Sequence, residues 1–192
     1  GPEYAGTPVT PPVIEVCNGS TDVLEADPPN SATYNWSWYK TTNSLGPVQS
    51  DVINGVNTNQ LVVSESGYYY ASVTDGNGCM SNYAFIMEYE FKAPVKAQFE
   101  AVNDPDNGVY QICADSVGTL EVTNAKVGAQ YTLYKLDANS NYVELPTTTF
   151  THSLGGTPQF TGLGEGTYKV EVDEALCNPI LSDAVIEIER VV

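Results

Sequence analysis

From Val13 onward the chain alternates apolar and polar residues in short bursts, and no stretch repeats with the period of a helix. The alternation predicts strands at Val13–Val16, Asp22–Ala26, Tyr34–Lys40, Gln60–Val63, Tyr68–Thr74 and Tyr83–Phe91. A second series follows at Gln98–Val102, Thr119–Val122, Gln130–Leu136, Tyr142–Leu145, Gln159–Thr161, Tyr168–Val172 and Ala184–Arg190. Between them lie "DPPNS", "NGVNTN" and similar runs of turn-forming residues. Six or seven short strands in each series predict an all-β chain of two tandem immunoglobulin-like β-sandwich domains. Pairing the free edges of each sheet against a second one also limits edge-to-edge aggregation.

The same alternation names the cores. Tyr34, Trp36 and Trp38 share one face of "YNWSWYK", so Trp36 or Trp38 is the tryptophan expected on the third strand. Tyr131 and Leu133 stand in that place in the second series. On the sixth strand the inward set is Tyr69, Ala71 and Val73, matched by Tyr168, Val170 and Val172.

The two series are copies of one unit. Cys17 and Cys79 are 62 residues apart, and Cys113 and Cys177 are 64. "GYYYASVTDGNGC" lies over "GTYKVEVDEALC", with Gly67 over Gly166 and Tyr69 over Tyr168. A fixed self-similar period is the mark of a tandem repeat. The expected division is 1–10 as a tag remnant and linker, 11–92 as the first domain and 93–192 as the second. Gly1-Pro2 matches what a tag-cleaving protease leaves behind. The stretch "FKAPVKA", Phe91–Ala97, is short and holds one proline, which predicts a semi-rigid linker and an elongated pair.

Four cysteines allow three pairings. Equivalence of the copies selects Cys17–Cys79 and Cys113–Cys177, one bridge inside each domain. Each would close a loop of about 60 residues and stabilise by roughly 4 kcal/mol on the chain-entropy model. The expected staple joins the loop after the sixth strand to the start of the second. Four free thiols are the alternative. Zinc is disfavoured, because no close cysteine pair exists and His152 is the single histidine. Disulfides imply an oxidising compartment.

Charge changes the picture by exclusion. Seven basic residues face 24 acidic ones, a formal net charge of −17. Nucleic acid and anionic membrane surfaces require clustered Lys and Arg, so neither is an expected partner. No apolar run approaches the roughly 20 residues of a membrane-spanning helix, so membrane insertion is not expected either.

Candidate chemistry is sparse. His152 lies in the loop-like "FTHSLGGTP", and no pair of carboxylates is placed as an opposed couple, so no catalytic residue and no enzyme are expected. Asn103, Asp104, Asp106 and Asn107 gather in "NDPDNG", and Asp75 and Asn77 in "TDGNG". Calcium takes six to eight oxygens, so Asp104, Asp106 and Asn107 are its candidate ligands; ordinary turns are the competing reading. No other cofactor is expected. With Trp36 and Trp38 inward, Tyr39 points outward, as do Tyr68 and Tyr70, which makes these three a candidate sugar platform. Strands favour aromatic residues and tyrosine pairs in any case. Asn18 and Asn35 open formal glycosylation sequons, the second inside a strand.

"SGYYYASVTDGNGC", "LGEGTYKVEV", "VCNGSTDVLEA" and "YNWSWYK" resemble the corresponding motifs of Ig-like and PKD-like repeats in large surface proteins of Bacteroidota. The resemblance covers most of the first copy and the second half of the second. It implies a non-catalytic extracellular spacer or adhesion module, similar to repeats in gliding-motility adhesins and other type IX secretion cargo. Such repeats also flank catalytic domains, so the alternative is a carbohydrate-binding accessory module of a secreted polysaccharide-degrading enzyme. The implied partners are neighbouring repeats of the same chain, surface glycans or another protein, and the implied location is the cell surface or medium, reached through the periplasm.

Overall fold

The computed structural model describes residues 12–102, 109–153 and 155–191, which are strands, turns and one short 3-10 turn. The chain divides into two compact units, Gly1–Ala93 and Pro94–Val192.

Unit 1 contains β1 (Val13–Cys17), β2 (Asp22–Glu25), β3 (Asn35–Thr41), β4 (Val52–Ile53), β5 (Gln60–Val63), β6 (Gly67–Thr74) and β7 (Ala84–Lys92). One sheet runs in the order β1-β7-β6-β3-β4, and β2 pairs with β5 in a second. The first strand lies parallel to the last, Val13 opposite Glu88 and Cys17 opposite Lys92, while β3, β6 and β7 are antiparallel. Leu24, Leu61 and Val63 from the small sheet pack on Trp36, Trp38, Tyr69, Ala71 and Tyr89 from the large one. Two sheets packed through these apolar side chains make this a sandwich.

Unit 2 repeats the plan with β8 (Phe99–Ala101), β9 (Val109–Cys113), β10 (Gly118–Val122), β11 (Gln130–Leu136), β12 (Tyr142–Thr151), β13 (Gln159–Leu163), β14 (Gly166–Asp173), β15 (Ile180–Leu181) and β16 (Ile186–Val191). Its sheets run β12-β11-β14-β16-β9 and β13-β10-β8, with β15 beside β14. Again a strand before the first hairpin, β9, lies parallel to the last, with Cys113 opposite Val191. The strand order in each unit is that of an immunoglobulin-like sandwich.

The two cores are filled differently along β3 and β11. Trp38 faces Ala71 across β3 and β6, whereas Leu133 faces Val170 across β11 and β14. A large residue against a small one is exchanged for two of middle size, which keeps the layer filled. Trp38 is fully buried, and its indole N–H donates to the Thr58 carbonyl at 2.8 Å. Tyr131 occupies the register position of Trp36, and its hydroxyl accepts the Lys126 N–H at 2.8 Å.

The expected inward sets of β3, β6 and β14 face the core: Tyr69, Ala71, Tyr168, Val170 and Val172 are buried, and Val73 and Tyr34 pack at its margin. Three strands lie outside the expectation: β4 and β15, of two residues each, and β9. The first two are too short to show a period. For β9, the sequence "VYQIC" does alternate, with Ile112 buried and its neighbours exposed, but it follows directly on a turn-rich run.

The cysteine pairing differs from the expectation. Cys79 and Cys113 are free thiols, and Cys17 and Cys177 are disulfide-bonded, so neither Cys17–Cys79 nor Cys113–Cys177 is present. The parallel pairing is the reason. Cys17 is level with Lys92, three residues beyond the Gly67–Tyr89 pair, while Cys79 follows the far end of β6. The whole of β6 and three residues of β7 separate them, roughly 30 Å at the rise of a strand. Cys113 and Cys177 are held apart in the same way by β14 and the end of β16. A disulfide requires Cα atoms within about 7 Å. The expected staple therefore joined opposite ends of the sandwich.

The Gly67 and Gly166 match has a structural cause. Their φ angles are +155° and +146°, and the stems of Lys40 and Lys135 lie across them, with Lys135 Cε where a Cβ on Gly166 would stand. Gly166→Ala is expected to lower the stability of unit 2 by about 1–3 kcal/mol in urea unfolding. Gly156→Ala, which has open space and an ordinary φ, is expected to stay within about 0.5 kcal/mol; equal effects would contradict the assignment.

Candidate functional site

Each sandwich has two ends, and the residues singled out by the sequence fall mostly at one or the other. At the end reached by β6, the chain winds on the carboxylate of Asp75. Its Oδ1 accepts the N–H groups of Asn77 and Cys79, both at 2.9 Å, and the Gly78 N–H donates to the Asp75 carbonyl at 3.0 Å. The Cys79 N–H above all holds the Asp75 carboxyl below its usual pKa. Asp75 and Asn77 thus form the Asx-type turn that was the competing reading, with Cys79 exposed beside it. In unit 2 the Asp173 carboxylate accepts the Ala175 N–H at 2.8 Å, and Cys177 follows, half-buried.

At the opposite end, each first cysteine closes a parallel strand pair and opens a tight turn. The Ser20 N–H donates to the Cys17 carbonyl at 3.1 Å, and the Ser116 N–H to the Cys113 carbonyl at 3.0 Å. The Arg190 guanidinium also donates to the carbonyls of Cys113, at 3.1 Å, and of Ala114. Arg190 was not singled out by sequence, since a lone basic residue at a strand end has no pattern.

The tyrosines are used to hold the fold. Tyr69 donates its hydroxyl to the Glu65 carbonyl at 2.7 Å, and Tyr168 to the Gly164 carbonyl at 2.9 Å. This is the tyrosine corner of Ig-like sandwiches, present in both copies. The Gly-x-Tyr spacing that aligned the copies is its sequence signal.

The candidate sugar platform is not displayed. Tyr39 and Tyr70 do lie on the outer face of the large sheet, but they are only 2% and 7% exposed. Tyr83 meets Tyr39 edge-on at 4.8 Å, Phe85 meets Tyr70 at 5.4 Å, and the Tyr70 hydroxyl donates to the Ser44 carbonyl at 3.1 Å. Alternation reports which face a side chain takes, whereas covering by a loop is non-local and leaves no periodic trace. Tyr68 is half-buried, with its hydroxyl hydrogen-bonded to Glu88. Beside this cluster lies a shallow cavity of about 410 Å³ lined by Leu45, Gly46, Pro47, Tyr70, Met80 and Tyr83 among others.

Asp104, Asp106 and Asn107 lie outside the described residues. Among the described residues no group of three or more His, Cys, Asp or Glu is placed to hold a metal. His152 extends the β11–β12 pairing through its backbone: its N–H donates to Ala129 at 2.9 Å and its carbonyl accepts from Gly128 at 3.0 Å. No helix among the described residues is long and apolar enough to cross a membrane.

No family model matches the chain, and no curated protein matches it. Its structural neighbours are Ig-like domain proteins. Murine CEACAM1b aligns at 14% identity over 92% of this chain and 96% of that one, with a TM-score of 0.39. Rst D1-D2 aligns at 12% identity over 96% and 98%, with a TM-score of 0.42. The N-terminal four Ig domains of Dscam1 isoform 8.4 align at 14% identity over all of this chain and 46% of that one, with a TM-score of 0.37. Likeness this faint carries no argument about ligand or partner.

The buried phenols set an alkaline limit. Burial, followed by the Asp22 carboxylate that accepts its hydroxyl at 2.9 Å, pushes Tyr89 up to about 12. Burial also raises Tyr69, Tyr131 and Tyr168. Above pH 10 the unfolded chain has released these protons and the folded one still binds them, so stability falls as pH rises from 10 through 12. Urea midpoints are expected to be level from pH 7 to 9 and to decline beyond pH 10, alongside late phenolate absorbance. A midpoint unchanged at pH 11 would contradict this.

Proposed function

We propose that this chain is a non-catalytic, extracellular spacer and adhesion module, a piece of a large surface protein of the Bacteroidota type its motifs resemble. The observation that supports it most is that the side chains offered by the sequence for chemistry are spent on architecture in both copies. The tyrosine hydroxyls close corners, Asp75 wires a turn, and His152 extends a strand pair. What is duplicated is a sandwich whose corner is closed by a tyrosine hydroxyl. The surplus of acidic groups, 24 against seven basic ones, keeps such a module soluble and resists unspecific contact. The oxidised cysteines fit an oxidising location outside the cytoplasm.

The carbohydrate-binding reading keeps one observation in its favour, the cavity bordered by Tyr70, Tyr83 and Met80. Apolar and aromatic linings of this kind suit small ligands. The cluster of Tyr39 and Tyr70 beneath it is closed, which favours the spacer.

Single-molecule stretching of the reduced chain tests the proposal. Two separate unfolding steps are expected, each releasing on the order of 30 nm as about 90 residues extend. Smooth extension without steps would contradict a load-bearing module. Affinity electrophoresis through soluble polysaccharides is expected to show no retardation of the native protein; clear retardation by one polysaccharide would replace the spacer with the accessory-module reading.

A further inference from the structure

Asparagine is followed by glycine at Asn18, Asn54, Asn77 and Asn107, and the last of these lies outside the described residues. Such a pair is chemically labile, because no side chain shields the glycine nitrogen from the carbonyl carbon of the asparagine side chain. The three described pairs share most of their features. Each is exposed, the glycine φ angles are +89°, +83° and +82°, and open space lies where a Cβ would stand on each glycine. They differ in what holds the reacting groups.

At Asn77 every reacting group is tied to Asp75. The Gly78 N–H donates to the Asp75 carbonyl at 3.0 Å, the Asn77 N–H donates to the Asp75 carboxylate at 2.9 Å, and the Asn77 side-chain amide meets the same carboxylate. Taking a proton from the Gly78 nitrogen would also set a second negative charge beside Asp75. At Asn18 the flanks are held and the nucleophile is not. The Asn18 N–H donates to the Lys92 carbonyl at 2.9 Å and the Ser20 N–H to the Cys17 carbonyl at 3.1 Å, while the Gly19 N–H meets no acceptor among the described residues. At Asn54 the N–H groups of both Asn54 and Gly55 lack an acceptor among the described residues. This pair directly follows β4, which is held to β3 at two positions, Trp38 opposite Ile53 and Tyr39 opposite Val52.

We propose that Asn54 is a self-modifying site of the folded chain, losing its side-chain amide to water ahead of Asn18, and that the Asp75 turn protects Asn77 from the same reaction. The Gly55 nitrogen gives up its proton and bonds to the side-chain carbonyl carbon of Asn54. The amide nitrogen takes up a proton and leaves as ammonia, which closes a cyclic imide. Water then opens the ring at one of its two carbonyl carbons. Opening on the side-chain carbonyl leaves an aspartate in the ordinary chain. Opening on the main-chain carbonyl leaves isoaspartate, in which the chain runs on through the former side chain. Water enters, ammonia departs, and nothing is oxidised or reduced. Either product adds a negative charge to the formal −17, and isoaspartate lengthens the main chain by one carbon just beyond the edge strand β4. At Asn77 the same attack must first break hydrogen bonds to a carboxylate, each strong enough to slow a step about tenfold or more. The proposal goes beyond the module reading and does not rest on it.

The test incubates the whole native chain in mildly alkaline buffer, below the limit set by the buried phenols, and follows aspartate and isoaspartate at each site by peptide mapping. Asn54 is expected to convert first and Asn18 next, with Asn77 at least about ten times slower than Asn54. The same chain unfolded in urea is expected to convert all three at similar rates, because the dipeptide is the same and the supports are gone. Asp75→Ala is expected to speed Asn77 and leave Asn54 unchanged, the second rate reporting that the unit is still folded. Equal rates at Asn54 and Asn77 in the native chain would overturn the proposal. So would an order that persists unchanged in urea, since the sequence around each pair and not the fold would then set it. The native and unfolded rates decide the matter even where Asp75→Ala fails to fold.

Discussion

The parallel pairing of an early strand with the final strand governs the rest of each unit. Bringing β1 beside β7, and β9 beside β16, fills an edge of the large sheet that would otherwise be open. It also decides geography. A residue that ends the early strand must lie where the chain leaves the sandwich, and a residue in the β6–β7 or β14–β15 loop must lie at the other end. The cysteines obey this constraint before any consideration of redox chemistry. A bridge inside one unit would have to span the length of a strand.

Beneath that constraint the two units are variations on one set of contacts. The corner tyrosines Tyr69 and Tyr168 donate to a carbonyl four residues upstream, and Gly67 and Gly166 accept a lysine stem lying across them. One layer differs by a compensating pair, Trp38 and Ala71 against Leu133 and Val170, while Tyr131 replaces Trp36 opposite an unchanged valine. Unit 2 adds the rings of Phe150 and Phe160, 4.9 Å apart, to a core that lacks tryptophan. Conservation of the fold's corners with exchange in its middle is what packing density demands of a duplicated sandwich.

Local order was legible in the chain, and long-range order was not. Gln60–Val63 stands as the alternation predicts, because its period-two burial is written residue by residue, and Gln130–Leu136 has the predicted bounds. The repeat was legible because Gly-x-Tyr and the cysteine spacings recur. The pairing of β1 with β7 carries no local mark, and spacing alone says that Cys17 and Cys79 recur together without saying at which end each lies. Tyr39 and Tyr70 teach the same lesson: their face could be read from parity, but the cover supplied by Tyr83, Phe85 and the Ser44 backbone depends on residues distant in sequence. Arg190 grips its turn 77 residues upstream, across a parallel strand pair that no motif announces.

The reactive and charged groups described above lie at the ends of each unit. The sandwich middle is closed by buried tyrosines and tryptophans, while thiols, turn carboxylates and a guanidinium occupy the ends. The measurement that bears most directly on this account is peptide mapping of the native, unreduced protein after alkylation. The account predicts that the peptides of Cys79 and Cys113 carry the alkyl label and that those of Cys17 and Cys177 do not. A peptide linking Cys17 to Cys79, or Cys113 to Cys177, would contradict it, because no strand of these sandwiches can be crossed by one disulfide.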